Sequence, residues 1–257
     1  MLFSKPGLGL SAAVLACAWS AAASAQSIPD AAPADASTPD TATTANPSFA
    51  FGFGAASDYL FRGVGRSNDR AQAFGSLDST FGEAYAGVWT SNAAFRGTGP
   101  ARNGAEVDVY GGWRPEFRGY SLDFGAQYDA FAGQQAGADL DYVELFAKVS
   151  RAIGPVTGRI GLHYAPDFAG HGGAAWYAEA GADYAVTRDW TLSVGVGRQT
   201  GDRPTLVGGG DYLTWNAGVA RALGQHVSLA LHYSDTGAHR YGPTYDGRVV
   251  GELRTSF

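Results

Sequence analysis

The sequence predicts an all-β protein, an antiparallel up-and-down transmembrane β-barrel of about 12 strands. Three observations predict it: segments that alternate apolar and polar side chains, connections that alternate short and long, and a last segment that ends on an aromatic residue. In that segment the register Val249, Gly251, Leu253 and Thr255 leads to the terminal Phe257, and the residues between them are largely charged. One apolar and one charged face indicate a half-buried strand. Taken alone, this segment could also be an edge strand of a soluble sandwich.

The beginning of the chain predicts export. A short basic start and an alanine-rich apolar run are followed by Ala23-Ser24-Ala25, small residues of the kind that precede a signal-peptidase cut. We therefore predict a signal peptide over 1–25 and a mature chain that begins at Gln26. Cys17, the sole cysteine, lies within this peptide, so we expect no disulfide, cysteine-bound metal or cysteine nucleophile in the mature chain. Lipidation at Cys17 is the alternative.

Residues 26–47 form a separate segment of mostly Ala, Pro, Thr, Ser and Asp. Such a composition has too little apolar surface to offset the entropy lost on ordering. We predict a disordered periplasmic lead here, followed by the barrel over residues 48–257. The functional alternative is an arm that touches the cell wall or plugs the pore.

From Ser48 onward the chain divides into segments with a period of two, the period of β-strands. The apolar registers run through 49–55, 73–81, 105–113, 120–128, 143–149, 156–164, 176–184, 190–196, 213–219, 227–233 and 249–257. One further segment, 84–94, does not show which of its two faces is the apolar one. Aromatic residues near the ends of these registers favour a bilayer interface. They are Tyr120, Tyr164, Trp176, Tyr184, Trp190 and Tyr233.

The connections between these segments decide the predicted topology. Short ones fall at 82–83, 114–119, 151–155, 187–189 and 223–225, and longer ones at 92–104, 131–139, 167–173, 200–210 and 235–244. They alternate strictly, and both ends of the barrel segment fall on the short side. Outer-membrane barrels have this asymmetry of short periplasmic turns and longer extracellular loops, whereas a soluble sandwich gives no reason for it.

Composition excludes two other classes. The chain carries 37 Gly, 13 Tyr and 14 Phe. It has only two lysines and a net charge of −6, whereas nucleic-acid binding requires clustered positive charge. A mean hydropathy of −0.13, with no further long apolar run, excludes a bundle of membrane helices. Strands that are apolar at every second residue give this middling hydropathy.

Several motifs resemble those of a known family. The stretch Ala56–Val64, with the sequence ASDYLFRGV, resembles the N-terminal signature of the TorF-type porins. The segments Gly87–Asn92, Glu106–Gly112, Asp141–Leu145 and Asp211–Trp215 are similar to later motifs of that family, so the resemblance covers about residues 48–257. It implies an outer-membrane β-barrel of a Gram-negative bacterium, classed as a porin and with little settled about its substrate.

Period-two counting gives a set of inward, pore-lining side chains of both signs. They are Glu106, Asp108, Asp123, Asp129, Glu144, Lys148, Arg159, Glu179, Asp183, Arg198, Arg248, Glu252 and Arg254. Opposed carboxylate and guanidinium walls would create a transverse field that selects solutes by charge. We therefore expect passive diffusion of ions or small polar solutes. Alternatively these groups pair across the lumen and close it, which would leave a structural scaffold without transport.

Arg62, Arg66 and Arg70 are expected to form a basic cluster at the outer mouth. There they would attract anions or bind the phosphates of lipopolysaccharide. The alternative for Arg62 is a salt bridge with Asp58 or Asp69.

An outer-membrane hydrolase is the remaining class, because small barrels can hold Ser, His and Asp at their rim. Only His163 and His232 fall on inward registers, and no phosphate loop, metal spacing or acid pair stands out. We expect no enzyme activity, no cofactor and no metal. Expected partners are outer-membrane lipid and lipopolysaccharide, small solutes, and the barrel-assembly machinery, which would read the closing strand that ends at Phe257.

Overall fold

The computed structural model describes residues 47–95, 102–203 and 208–257. Twelve strands of nine to thirteen residues form one antiparallel sheet. Their bounds are β1 Ser48–Ala56, β2 Gln72–Phe81, β3 Ala84–Phe95, β4 Arg102–Trp113, β5 Tyr120–Ala132, β6 Tyr142–Ile153, β7 Val156–Ala165, β8 Ala175–Ala185, β9 Trp190–Gly201, β10 Tyr212–Leu223, β11 Val227–Thr236 and β12 Arg248–Ser256. The predicted signal peptide and the lead up to residue 46 lie outside the described residues.

The sheet closes on itself. Each strand pairs with its neighbour in sequence, and β12 pairs with β1 in a register that joins Gly52 to Ser256 and Ala56 to Glu252. Phe257 extends this seam, since its backbone N–H and C=O both bond to Phe51, at 2.9 and 3.0 Å. Closure leaves no free sheet edge, so every strand has a partner on both sides. The predicted fold class, an up-and-down barrel of about 12 strands, is confirmed.

Apolar side chains cover the outside of the barrel. Phe51 and Phe53 on β1, Leu145 on β6 and Val196 on β9 are each more than half exposed, and they alternate with buried or half-buried neighbours. The alternation also settles the ambiguous segment, β3, in which Trp89 is buried inside the barrel. An apolar exterior is what a sheet surrounded by lipid requires.

The connections alternate in length as predicted, except that 96–101 and 114–119 both span six residues. The short ones span 82–83, 114–119, 154–155, 186–189 and 224–226, and the long ones span 57–71, 96–101, 133–141, 166–174, 202–211 and 237–247. The last long connection contains two single 3-10 turns, His239–Tyr241 and Pro243–Tyr245. Among the described residues, no helix is long and apolar enough to cross a membrane.

The main buried apolar cluster lies inside the barrel, near the end with the long connections. It joins Tyr59 and Phe61 of the first long connection to Trp89 of β3, Phe131 of β5 and Tyr142 of β6. A connection that contributes side chains to the interior cannot lie over the outer surface. The candidate functional site is therefore where this connection meets the inner wall.

Candidate functional site in the barrel lumen

The first long connection, residues 57–71, folds into the lumen. Residues 58–67 are all buried, and Leu60–Phe61 pairs with Val64–Gly65 as a small hairpin. Its two central residues, Arg62 and Gly63, have φ values of 51° and 80°, the positive values that a type I′ hairpin turn requires at both positions. The tip presses on the wall, because a Cβ added to Gly63 would lie 2.6 Å from Thr214 Oγ1. We call residues 57–71 the inserted loop.

Arg62 crosses the lumen to the wall opposite β1. Its Nη2 lies 2.7 Å from both carboxylate oxygens of Glu144 on β6, and its Nη1 donates to Gln199 Oε1 on β9 at 3.2 Å. The guanidinium also lies over the ring of Tyr177 on β8, 4.3 Å from its centroid. Because β6 is five strands from β1 in a ring of twelve, the inserted loop spans the lumen from one side to the other.

Arg66 anchors the other arm of the hairpin. Its Nη1 lies 2.6 Å from Glu106 Oε1 on β4, and the Tyr59 hydroxyl donates to the second oxygen of Glu106 at 2.7 Å. The Arg66 guanidinium also lies over the ring of Phe61, 3.5 Å from its centroid. In the backbone, Arg66 N–H donates to Tyr59 O, and Ala94 N–H on β3 donates to Arg66 O, both at 2.7 Å. The inserted loop is thus fixed to the wall through charge, aromatic contact and backbone.

The wall that receives the two arginines is acidic. It carries Glu106, Asp108, Asp129, Glu144 and Glu179 on β4, β5, β6 and β8. Carboxylate oxygens of the first three lie within 4.8 Å of one another, and all three side chains are buried. These are the ligand atoms that divalent cations prefer, but the cation next to them is the guanidinium of Arg66. Counting along single strands could not reveal this group, because Asp129 and Asp108 meet across two strands.

His163 on β7 links two members of the acidic wall. Its Nδ1 lies 2.6 Å from Glu144 Oε1, and its Nε2 lies 3.1 Å from Glu179 Oε1. Glu144 therefore faces both Arg62 and His163. Arg62, Glu144, His163 and Glu179 thus form one connected group rather than separate pairs.

The facing wall is polar but uncharged. It presents Gln199 on β9, Thr214 and Asn216 on β10, and Ser234 on β11, all of them buried. At the level of the inserted loop the lumen therefore has an acidic side and a neutral side. Both buried arginines of the inserted loop contact the acidic side.

Below the inserted loop, toward the short connections, the lumenal charges are less buried and pair locally. Arg159 pairs with Asp183, and Arg254 Nε lies 3.1 Å from Glu252 Oε1. Asp123 accepts from the Tyr85 hydroxyl at 2.7 Å and lies opposite Lys148 in the strand register. These half-buried side chains line a more open part of the interior.

The strand registers place every predicted pore-lining residue on the lumenal side except Arg198. The prediction that Arg198 faces the lumen was wrong. Strand β9 runs without a bulge from Trp190 to Gly201, so Arg198 shares the outward register of Val194 and Val196. It is exposed and faces Asp211 at 3.8 Å. Whether the residues on the lumenal side line a conducting pore stays a prediction.

The prediction of a basic mouth was wrong for two of its three residues. Arg62 and Arg66 are buried inside the barrel, and only Arg70 is exposed, where it donates to Asn103 Oδ1 at 2.6 Å. The alternative bridge from Arg62 to Asp58 or Asp69 is also wrong. Both of those carboxylates contact Arg248 on β12 instead, Asp58 at 2.7 Å. Sequence reasoning missed the inward fold because the partners of the arginines lie far along the chain.

Comparison with known proteins identifies a family for this chain but no activity. The family model described as "Bacterial protein of unknown function (Gcw_chp)" matches residues 40–254. The sequence matches none of the curated proteins with which it was compared. The TorF-type resemblance of the motifs stays a prediction, since the matching family carries another name.

Solved structures are similar to this chain to different degrees. The KdgM porin has a TM-score of 0.55 and 11% identity, over 81% of this chain and 99% of that chain. The NanC porin has a TM-score of 0.47 and 10% identity, over 81% and 98% of the two chains. Outer membrane phospholipase A from Escherichia coli has a TM-score of 0.44 and 13% identity, over 83% and 98%. Of these three, the KdgM porin alone has a TM-score above 0.5, and at 11% identity that likeness concerns the fold alone.

Proposed function

The chain belongs to the Gcw_chp family of bacterial proteins of unknown function, and we propose that it is a porin-like outer-membrane channel for passive diffusion of ions or small polar solutes. The observation that carries the proposal is the contrast between the two faces of the barrel. Its outside is apolar, and its inside holds charged and polar side chains at every level. A closed sheet with a polar interior offers ions and polar solutes the hydrogen bonds and charges that replace water.

We propose that this path is narrowest where the inserted loop lies in the lumen. Arg62 and Arg66 reach Glu144 and Glu106 and so hold ten buried residues within the lumen. We propose that the inserted loop sets the size of solute that passes, while the acidic wall and the two arginines set its charge. The same observation favours a second candidate, a closed structural barrel, if the inserted loop never leaves this position.

Single-channel conductance in planar bilayers separates the two candidates. We compare the wild-type protein with the double variant R62Q/R66Q, which removes both ion pairs to the acidic wall. R70Q is the matched control, because Arg70 lies in the same loop but is exposed. Heat-modifiable migration on gels first checks that each variant forms a barrel.

For a channel narrowed by the inserted loop, we expect small wild-type conductance steps, larger steps in R62Q/R66Q, and wild-type steps in R70Q. An absence of conductance steps in all three proteins would overturn the proposal of a channel and would favour the second candidate, the closed structural barrel. Equal steps in all three would keep the channel but overturn the role of the inserted loop.

A further inference from the structure

The rim at the short connections carries outward-facing arginines that lie on aromatic rings. Arg118 lies over Phe117 at 5.1 Å, Arg151 over Tyr120 at 4.6 Å, and Arg221 over Trp190 at 5.3 Å. Arg151 Nη1 also donates to the Tyr120 hydroxyl at 2.8 Å. We call Arg118, Arg151 and Arg221 the arginine rim.

The arginine rim is not neutralised by the protein. In the part of the chain that the structure describes, no carboxylate lies within 4.0 Å of any of the three guanidinium groups. At the opposite rim, the outward-facing Arg198 has Asp211 as a partner, and His239 has Asp235. Arg118, Arg151 and Arg221 therefore differ from these two paired groups, although Arg240 at the opposite rim also lies over a ring, that of Tyr241 at 4.4 Å.

The position of the arginine rim determines what it can meet. Tyr120 and Trp190 are about two-fifths exposed and continue the outward registers of Leu122 and Leu192. A guanidinium beside such a ring lies where hydrocarbon gives way to headgroups. It stays charged at any physiological pH and its planar fork fits phosphate oxygens. An aromatic ring covers one face of the guanidinium and holds it in place, while N–H groups at the edge of the guanidinium plane remain able to donate to phosphate.

We propose that the arginine rim binds the phosphate groups of anionic phospholipids in the leaflet that faces the short connections. Charge complementarity carries the assignment: three cationic groups without a carboxylate partner border an apolar, lipid-facing surface. Two of the three sites are built across adjacent strands. Arg151 on β6 meets Tyr120 on β5, and Arg221 on β10 is the register partner of Trp190 on β9. The rigid sheet thus fixes the spacing of each pair. The proposal does not depend on whether the lumen conducts.

Native mass spectrometry of the purified full chain tests it, with phosphatidylglycerol and phosphatidylcholine of the same acyl chains as probes. We expect the wild-type protein to retain phosphatidylglycerol in preference to phosphatidylcholine. Each arginine replaced should weaken phosphatidylglycerol binding by about fivefold, the effect of one basic residue near an anionic surface. The triple variant R118Q/R151Q/R221Q should therefore lose the preference. R198Q is the control, because it removes an outward arginine at the other rim.

The conservative variant R118K/R151K/R221K separates charge from geometry, and we expect it to retain part of the preference because lysine keeps the charge but not the planar fork. Heat-modifiable migration confirms assembly, and the single variants R151Q and R221Q replace the triple one if it does not assemble. The proposal is overturned if the wild-type protein shows no preference between the two lipids. It is equally overturned if the glutamine variants keep the preference, or if R198Q loses as much of it.

Discussion

Arg66 Nη1 lies 2.6 Å from Glu106 Oε1, and the side chains of both residues are completely buried. A buried ion pair compensates the loss of hydration only when geometry is good and further hydrogen bonds are made. Here the Tyr59 hydroxyl supplies a further hydrogen bond to Glu106, and the ring of Phe61 makes a cation–π contact with Arg66. The pair joins a loop to a strand 40 residues further along, so it fixes the inserted loop and not the barrel.

Removing the carboxylate of this pair should free the inserted loop. The change E106Q replaces the charged partner of a buried guanidinium by a neutral amide. Removing one partner of a buried pair costs about 3–5 kcal/mol, and the loss should be smaller here because Asp108 and Asp129 lie beside Glu106. We expect faster hydrogen exchange of backbone amides in residues 57–71, with the exchange of the strands unchanged. E83Q is the matched control, because Glu83 is an exposed rim residue that accepts from Trp113 Nε1. Unchanged exchange in E106Q would show that other contacts hold the inserted loop.

The terminal residue should be needed for closure. The Phe257 ring stacks on Phe51 with centroids 5.1 Å apart and on His226 at 5.0 Å. F257A should lose on the order of 1 kcal/mol of aromatic contact. Deletion of Phe257 also removes both backbone bonds to Phe51 and should lower the assembled fraction further, while synthesis and export continue.

The heat-modifiable fraction recovered with the outer membrane measures this effect. F124A is the control, since Phe124 on β5 is also exposed on the outside and stacks on another ring, that of Trp113, four strands from β1. Normal assembly of the protein without Phe257 would contradict a role for the terminal aromatic residue.

The strands could be predicted from the sequence because each depends on a local alternation that the chain displays. The register of β12, counted back from Phe257, places Arg248 and Arg254 inside, where the structure also has them. The inserted loop could not be predicted in this way. Arg62 finds Glu144 82 residues away, on a strand that only the closed ring brings opposite. Arg198 was misplaced although the alternation of its own strand assigns it to the outside.

Protonation of His171 should tie two long connections together. His171 in 166–174 contacts Asp167 at 3.2 Å and Asp139 in 133–141 at 3.1 Å. Hydrogen bonds to Asp167 and then to Asp139 raise the pKa of His171 above its ordinary value. A raised folded-state pKa means that this stabilisation is complete below the unfolded pKa of about 6.5 and is lost as the pH rises through the folded pKa.

Hydrogen exchange of these two connections should therefore be slower at about pH 5.5 than at about pH 8.5, after correction for the intrinsic pH dependence of exchange. H171Q should remove this difference, because glutamine does not titrate. H226Q is the control, since His226 bonds to the Ser256 carbonyl near the opposite rim. A pH difference that persists in H171Q would assign the effect to another group.

Ion selectivity tests the lumenal registers. Arg248 contacts Asp58 and Asp69 of the inserted loop, and Arg254 contacts Glu252 below it. In R248Q/R254Q these carboxylates lose their cationic partners, so the reversal potential should shift toward cation selectivity. The shift should shrink at 1 M salt, where screening shortens to about 3 Å. R198Q removes an equal charge from the outer surface and should leave the reversal potential as in the wild type. A conducting double variant with unchanged selectivity would mean that solutes do not pass along β12.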